Sequence, residues 1–207
     1  MATIKLHYFP VRCRAEVTRL VLHYAKRDFV DHHVTFSDWP AFKPGTPFGS
    51  LPYMELGDEV FGQGQAIASY VAREADLYGS SNLDALKIEQ LQQLREDLIV
   101  EEVNTWSQTD EAKKARFKKR MHEDVYPKFL AQCEKLIKEN QAKTESKYTV
   151  GDKLSLADFI IFEGTENVRQ QNASLLDGYP RVKAVSALVA ALDNLKDYLA
   201  KRPVWVI

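Results

Sequence analysis

Ile4-Lys5-Leu6-His7-Tyr8-Phe9-Pro10-Val11-Arg12-Cys13-Arg14-Ala15-Glu16-Val17-Thr18-Arg19-Leu20-Val21 carries two hydrophobic periods in succession. Ile4, Leu6 and Tyr8 alternate as on a half-buried strand, and Pro10 ends the strand because its nitrogen has no hydrogen to donate. From Ala15 the period lengthens. Val17, Leu20, Val21 and Tyr24 recur at helical steps, with Lys26 and Arg27 where a helix C-terminus favours positive charge. A strand followed at once by a helix opens a mixed α/β unit.

Working outward, residues 29–36 are rich in β-formers, residues 39–47 are broken by three prolines and a glycine, and residues 51–56 alternate again before Gly57-Asp58 turns the chain. Residues 65–74 read as a helix that turns Ala66, Ile67, Tyr70 and Val71 inward. Beyond Leu77 the pattern is helical only. The expected organisation is an α/β domain over residues 1–77, a linker over 78–83 and an all-helical domain over 84–207. Asp84 is the expected cap of a long helix with Ile88, Leu91, Leu94, Leu98 and Ile99 inside, and a second helix is expected over residues 123–139. Ser155-Leu156-Ala157-Asp158 has the form of a capping box and opens the apolar residues 159–162. Val182, Val185, Leu188, Val189, Leu192 and Leu195 mark a further amphipathic helix, ended by Arg202-Pro203.

The 207 residues include 28 basic and 29 acidic side chains and are 45% hydrophobic, a globular balance that excludes disorder. A net charge of −1 argues against nucleic acid as a partner, since phosphate binding requires an excess of cations. Six of the eight residues 113–120 are basic, but Glu111, Glu123 and Asp124 flank them, so a solvated helical face is expected. No apolar run approaches the ~20 residues of a membrane span, and the N-terminal residues lack a signal core, so the expected location is the cytoplasm. Cys13 and Cys133 are too few for a disulfide framework, and adjacent His32 and His33 face opposite ways on a strand, so no metal site is expected. No internal repeat, phosphate-binding glycine loop or hydrolase triad spacing is present.

Leu51-Pro52 stands at the entry to a strand-like segment, where proline cannot serve a central ladder. By base rate an X-Pro bond is trans; a cis bond would leave the Leu51 backbone free to pair with an extended peptide. On the residues alone the trans bond is the expectation. Tyr8-Phe9, Arg12-x-Arg14-Ala15-Glu16, Trp39-Pro40-Ala41-Phe42-Lys43-Pro44, Pro47-Phe48-Gly49-x-Leu51-Pro52, Gln63-x-x-Ala66-Ile67 and Val150-Gly151-x-x-x-Ser155-x-Ala157-Asp158, in this order and spacing, resemble the cytosolic glutathione transferases, most closely the sigma class and its nematode-type relatives. The resemblance spans nearly the whole chain. It implies a thioredoxin-like N-terminal domain with a cis-proline, an all-α C-terminal domain and a homodimer.

By that resemblance Tyr8 is the catalytic residue, its hydroxyl donating to the glutathione sulfur and so favouring the thiolate, with Arg14 adding positive potential. Trp39 and Lys43 would hold the glycine end of glutathione. Leu51 would pair through its backbone with the cysteinyl part, Gly49, Ser50 and Pro52 are further glutathione-binding residues of the same segment, and Gln63 and Gly64 receive the γ-glutamyl carboxylate. Asp97 matches an acidic residue that reaches the γ-glutamyl amine of the neighbouring subunit; on an acidic helix it is equally a solvated charge. Phe9, Val11, Cys13 and Trp106 are candidates for the pocket of a small hydrophobic electrophile, with Met121 and the C-terminal residues 204–207 as further contributors.

Three departures stand out. Residue 64, usually serine in the family, is Gly64, and residue 50, commonly Gln or Lys, is Ser50, so two contacts to glutathione are shortened or lost. Two glycines of the usual turn after the tyrosine are replaced by Val11 and Cys13, which stiffens the pocket wall. Cys13, between two arginines at a helix start, is either a reactive thiol or a small buried hydrophobe. The expected activity is conjugation of glutathione to hydrophobic electrophiles, with no cofactor beyond glutathione as co-substrate. Isomerisation of a prostaglandin endoperoxide, or carriage of haem and other hydrophobic ligands with weak catalysis, are the alternatives.

Overall fold

The computed structural model describes residues 2–202. Of these, residues up to Leu77 and those from Leu192 on form one compact unit, and Tyr78–Ala191 form a second. The segment from Leu192, expected with the helical unit, belongs instead with the first. Its polar residues have partners there: Asn194 donates to the Tyr24 carbonyl at 2.9 Å, and the Tyr198 ring stacks on His23 with centroids 4.0 Å apart.

In the first unit β1 (Ile4–Tyr8) lies parallel to β2 (Phe29–His33) and antiparallel to β3 (Tyr53–Leu56), which pairs with β4 (Glu59–Gly62), giving the order β2-β1-β3-β4. The connection from β1 to β2 runs through α1 (Cys13–Tyr24), the crossover that a parallel pair requires. Short α2 (Trp39–Phe42) follows β2, and α3 (Gly64–Glu74) follows β4 and packs on α1. Ile67, Ala68, Val71 and Ala72 are the buried apolar residues of α3, whereas Ala66 and Tyr70, expected inside, are exposed on its flank. Strand β4 escapes the sequence reading because it is short and exposed along most of its length. Among the described residues the elements are those of a thioredoxin-like domain.

On one side of the sheet His7, His32 and Tyr53 form a cross-strand row, in register as His7↔His32 and His7↔Tyr53. His7 stacks on Tyr53 with centroids 4.1 Å apart and meets His32 Nδ1 to Nδ1 at 2.8 Å, while its Nε2 lies 2.7 Å from Glu55 Oε1. His33, on the opposite side as alternation requires, reaches Asp31 at 3.1 Å.

The second unit is helical. It comprises α4 (Asn82–Trp106), α5 (Glu111–Arg120), a π turn (Met121–Val125), α6 (Tyr126–Thr144), α7 (Leu156–Asn172) and α8 (Pro180–Ala190). The cap of α4 is Ser81, whose side chain accepts from the Asp84 N–H; Asp84, the expected cap, sits three residues in and accepts from the Ser80 N–H. The basic residues 113–120 lie on α5, which buries none of its residues. At α7 the capping box forms: Asp158 is fully buried and accepts from the Ser155 N–H and the Thr149 N–H, both at 2.8 Å. Burial raises its pKa, and those hydrogen bonds work in the opposite direction. The final short helix, α9 (Lys196–Lys201), belongs to the first unit.

Candidate active site

Tyr8 is the last residue of β1 and is almost fully buried. Its Oη accepts a 3.4 Å hydrogen bond from the Arg14 backbone N–H in the first turn of α1. Burial raises the phenol pKa, the neighbouring Cys13 adds to the rise, and the Arg14 N–H and charge pull the other way. The ring therefore stays a neutral phenol at physiological pH, a proton donor and not a phenolate base.

The turn between Tyr8 and α1 is tight, with the Val11 N–H bonded to the Phe9 carbonyl at 2.7 Å. Cys13 holds φ = +43°, a conformation natural for glycine and strained for a side chain with a Cβ. Its half-buried thiol stands beside the Tyr8 hydroxyl. Val11 is buried, which makes it packing beneath the turn and not an open pocket wall.

Leu51–Pro52 is cis, as the resemblance implies. Gln63, immediately before α3, has φ = +71° and so aims the first N–H groups of that helix. Gly64 is where three segments meet: a Cβ added there would lie 3.0 Å from the Pro52 ring and 3.1 Å from the Arg14 carbonyl oxygen. The cis-proline, the start of α1 and the start of α3 thus converge next to Tyr8. Gly49, with φ = +64°, lies against the stem of exposed Lys43, with 3.6 Å from a would-be Cβ to Lys43 Cε. Trp39, half-buried at the start of α2, meets Phe9 edge-on at 5.5 Å, and Phe9 also stacks on Phe36 at 4.7 Å. Ser50 is exposed and Leu51 half-buried in the segment between them.

Asp97 is exposed on α4, and Trp106 is exposed at the C-terminal end of the same helix. Met121 is buried in the π turn, and residues 204–207 lie outside the described residues. Cys133 is fully buried in α6, the packing role its position predicts. Among the described residues no cluster of His, Cys, Asp or Glu has the form of a metal site, and no helix is long and apolar enough to cross a membrane.

Sequence reasoning passed over Arg19. Its guanidinium is buried against the Tyr8 ring, 5.8 Å from Cζ to the centroid. The available signal was a basic residue three positions after Glu16 on the apolar side of α1.

A thioredoxin-like unit ending β1 in a buried tyrosine, with a cis-proline and a strained helix entry beside it, and an all-helical second unit define the class of fold. Comparison with known proteins makes the assignment specific. Residues 3–73 match the N-terminal domain of glutathione S-transferase, and residues 96–202 match its C-terminal domain. The chain is 31% identical to the probable glutathione S-transferase 7 of Caenorhabditis elegans over 99% of this chain and 98% of that one. It is 29% identical to the hematopoietic prostaglandin D synthase of Gallus gallus, covering 98% of each. The solved structure of the rat hematopoietic prostaglandin D synthase, complexed with a quinoline, superposes with a TM-score of 0.88 at 25% identity, covering 99% of this chain and 100% of that chain. The chain belongs to the glutathione S-transferase family.

Proposed function

We propose that the protein conjugates glutathione to small hydrophobic electrophiles, with the Tyr8 hydroxyl holding the glutathione sulfur as a thiolate. The observation that carries this reading is the buried, protonated Tyr8 phenol at the point where cis-Pro52, Arg14 and Gly64 converge. A free thiol with a pKa near about 8.5 is mostly protonated at neutral pH, and a hydrogen bond to its anion lowers that value. The sulfur then attacks the electrophile, and the electron pair leaves with the displaced group. Arg14 favours the anion by its charge. The Trp39 indole N–H and Lys43 answer the glycine carboxylate, and the Leu51 backbone pairs with the cysteinyl part. The N–H groups at the start of α3, next to Gln63 and Gly64, answer the γ-glutamyl carboxylate. Phe9 offers an apolar surface beside the sulfur. Glutathione enters as co-substrate, and no further cofactor is invoked.

An apolar groove of about 380 Å³, lined by Phe48, Met54, Val60, Phe61, Ile67 and Tyr70, supports a homodimer, since exposed apolar surface of this kind favours association. Cys13 and Cys133, neither in a disulfide among the described residues, fit a reducing cytoplasm. A second reading is favoured by the similarity to prostaglandin D synthases: the same thiolate would attack one endoperoxide oxygen, breaking the O–O bond and leaving the other oxygen as an alkoxide that takes a proton; loss of the proton from the carbon bearing the S–O group would then form the carbonyl and expel the thiolate.

Calorimetric titration with glutathione tests the common basis. Binding between micromolar and low millimolar, accompanied by thiolate absorbance at neutral pH, is expected; absence of binding would reject both readings in favour of a hydrophobic-ligand carrier. Turnover of a chloronitrobenzene against that of an endoperoxide then separates conjugation from isomerisation.

A further inference from the structure

The Tyr8 ring rests on a buried ionic chain that the chemistry above does not use. Arg19, 3% exposed in α1, donates from Nε to Asp31 Oδ2 at 2.8 Å and from Nη1 to the Val11 carbonyl at 2.7 Å. Nη1 also lies 3.4 Å from Glu16 Oε2. Its Nη2 is buried with no N or O partner among the described residues, while the guanidinium covers the Tyr8 ring. The negative face of that ring is the electron-rich surface such a cation faces. Glu16, 1% exposed, is held in turn from the C-terminal segment: its Oε1 accepts from the Tyr198 hydroxyl at 2.9 Å and from Arg202 Nη1 at 2.8 Å.

We propose that Arg19 is a positioning residue for Tyr8, locking the ring and the turn that follows it, and that Glu16, Tyr198 and Arg202 set Arg19 in place. The inference rests on the reading of Tyr8 as the thiolate-stabilising residue and adds what fixes its aim and acidity. One fork ties three parts of the chain at once. The Val11 carbonyl is the middle of the short turn between Tyr8 and α1, Asp31 is in the neighbouring strand β2, and the ring itself lies under the guanidinium. A phenol whose ring and adjoining turn are both pinned keeps its hydroxyl on one line, which a hydrogen bond to sulfur requires. A cation over the ring also withdraws electron density and makes the hydroxyl a better donor. Arg19 touches neither sulfur nor electrophile and acts through Tyr8.

Lysine keeps the charge and loses the fork, so Arg19→Lys is the direct test. Conjugation kcat/KM is expected to fall about 2- to 30-fold. The KM for glutathione is expected to stay within about twofold at about pH 6, where the tripeptide binds mostly as the thiol and its other contacts are untouched, and to rise at higher pH in step with the bound thiol's pKa. The acid limb of the kcat/KM profile for the electrophile, measured at saturating glutathione so that it follows the bound thiol, is expected to rise by about half to one and a half pH units. In a Tyr8→Phe background the same substitution is expected to add less than about twofold, because there is no hydroxyl left to aim. An unmoved acid limb in folded Arg19→Lys protein, or full additivity with Tyr8→Phe, would overturn the proposal. If Arg19→Lys does not fold, Tyr198→Phe decides: it removes one bond to Glu16, and an acid limb unchanged from that of the parent overturns the proposal equally. Tyr8→Phe alone separates the two layers. If it leaves the thiol pKa unaltered, the reading of Tyr8 falls; if it raises the pKa and Arg19→Lys does not, only the role of Arg19 falls.

Discussion

Replacing Tyr8 by Phe removes one oxygen and keeps the ring, so β1 and the contact with Arg19 survive. The lost native bond, from the Arg14 N–H at 3.4 Å, is long, and its loss costs about 1 kcal/mol of stability. The effect on chemistry is larger. A hydrogen bond to a charged acceptor is worth about 1.5–3 kcal/mol, and about 1.4 kcal/mol is one pKa unit, so the hydroxyl brings a thiol from about 8.5 to between about 6.3 and 7.4. At pH 6.5 the thiolate fraction with Tyr8 is then about 10–60%, against about 1% without it. The sign follows from the lowered thiol pKa: the advantage is present between the bound and free values and disappears above about pH 8.5. The assay is the rate of conjugation of a chloronitrobenzene at saturating glutathione, from pH 6 to 9, with circular dichroism confirming the fold. Tyr8→Phe is expected to lose about 10- to 60-fold at pH 6.5 and to approach the parent near pH 9. Superimposable profiles would refute the argument, because the hydroxyl would then contribute nothing to the anion.

Asp158→Ala orphans two buried N–H groups, and its expected cost is about 2–4 kcal/mol, or roughly 5–15 °C in Tm after the relief of the buried carboxylate. A Tm within about 2 °C of the parent would show that the cap is dispensable. Gly64→Ser restores the residue usual in the family but presses a Cβ against the Pro52 ring and the Arg14 carbonyl, neither of which is a flexible side-chain end. It is expected to cost about 1–3 kcal/mol and to leave glutathione affinity by calorimetry unimproved; a tenfold gain would contradict this. Burial lowers the His7 pKa from 6.5, with Lys5 and His32 acting in the same direction and Glu55 against them. A neutral buried histidine stabilises the fold above pH 6.5, and that contribution is lost as pH falls through the lowered value. Urea unfolding at pH 7.5 and 5.5 should therefore show a loss of stability that His7→Gln reduces, and an equal loss in the variant would assign it to other groups.

Parts of the fold and of the candidate site are legible in linear order because they are local. Tyr8 ends an alternating strand, Pro52 stands where a ladder donor is wanted, and Ser155 and Asp158 are three residues apart, the reach of one helical turn. Asp84 has the chemistry of a cap three residues too late, and Ser81 has it at the helix entry. The polar row of His7, His32 and Glu55 had no signature, since its members come from three strands whose register is set by sheet pairing.

Periods of two and of three to four residues are imposed by backbone geometry on neighbours along the chain, so β1, the longer amphipathic helices and the family motifs are legible in the sequence. Packing obeys distance in space instead. Glu16 and Arg202 are 186 positions apart and share a hydrogen bond of 2.8 Å. Arg19 could be placed beneath Tyr8 only once β2, the turn at Val11 and the C-terminal segment had been brought together, because the energy of a buried charge depends on every partner it finds there.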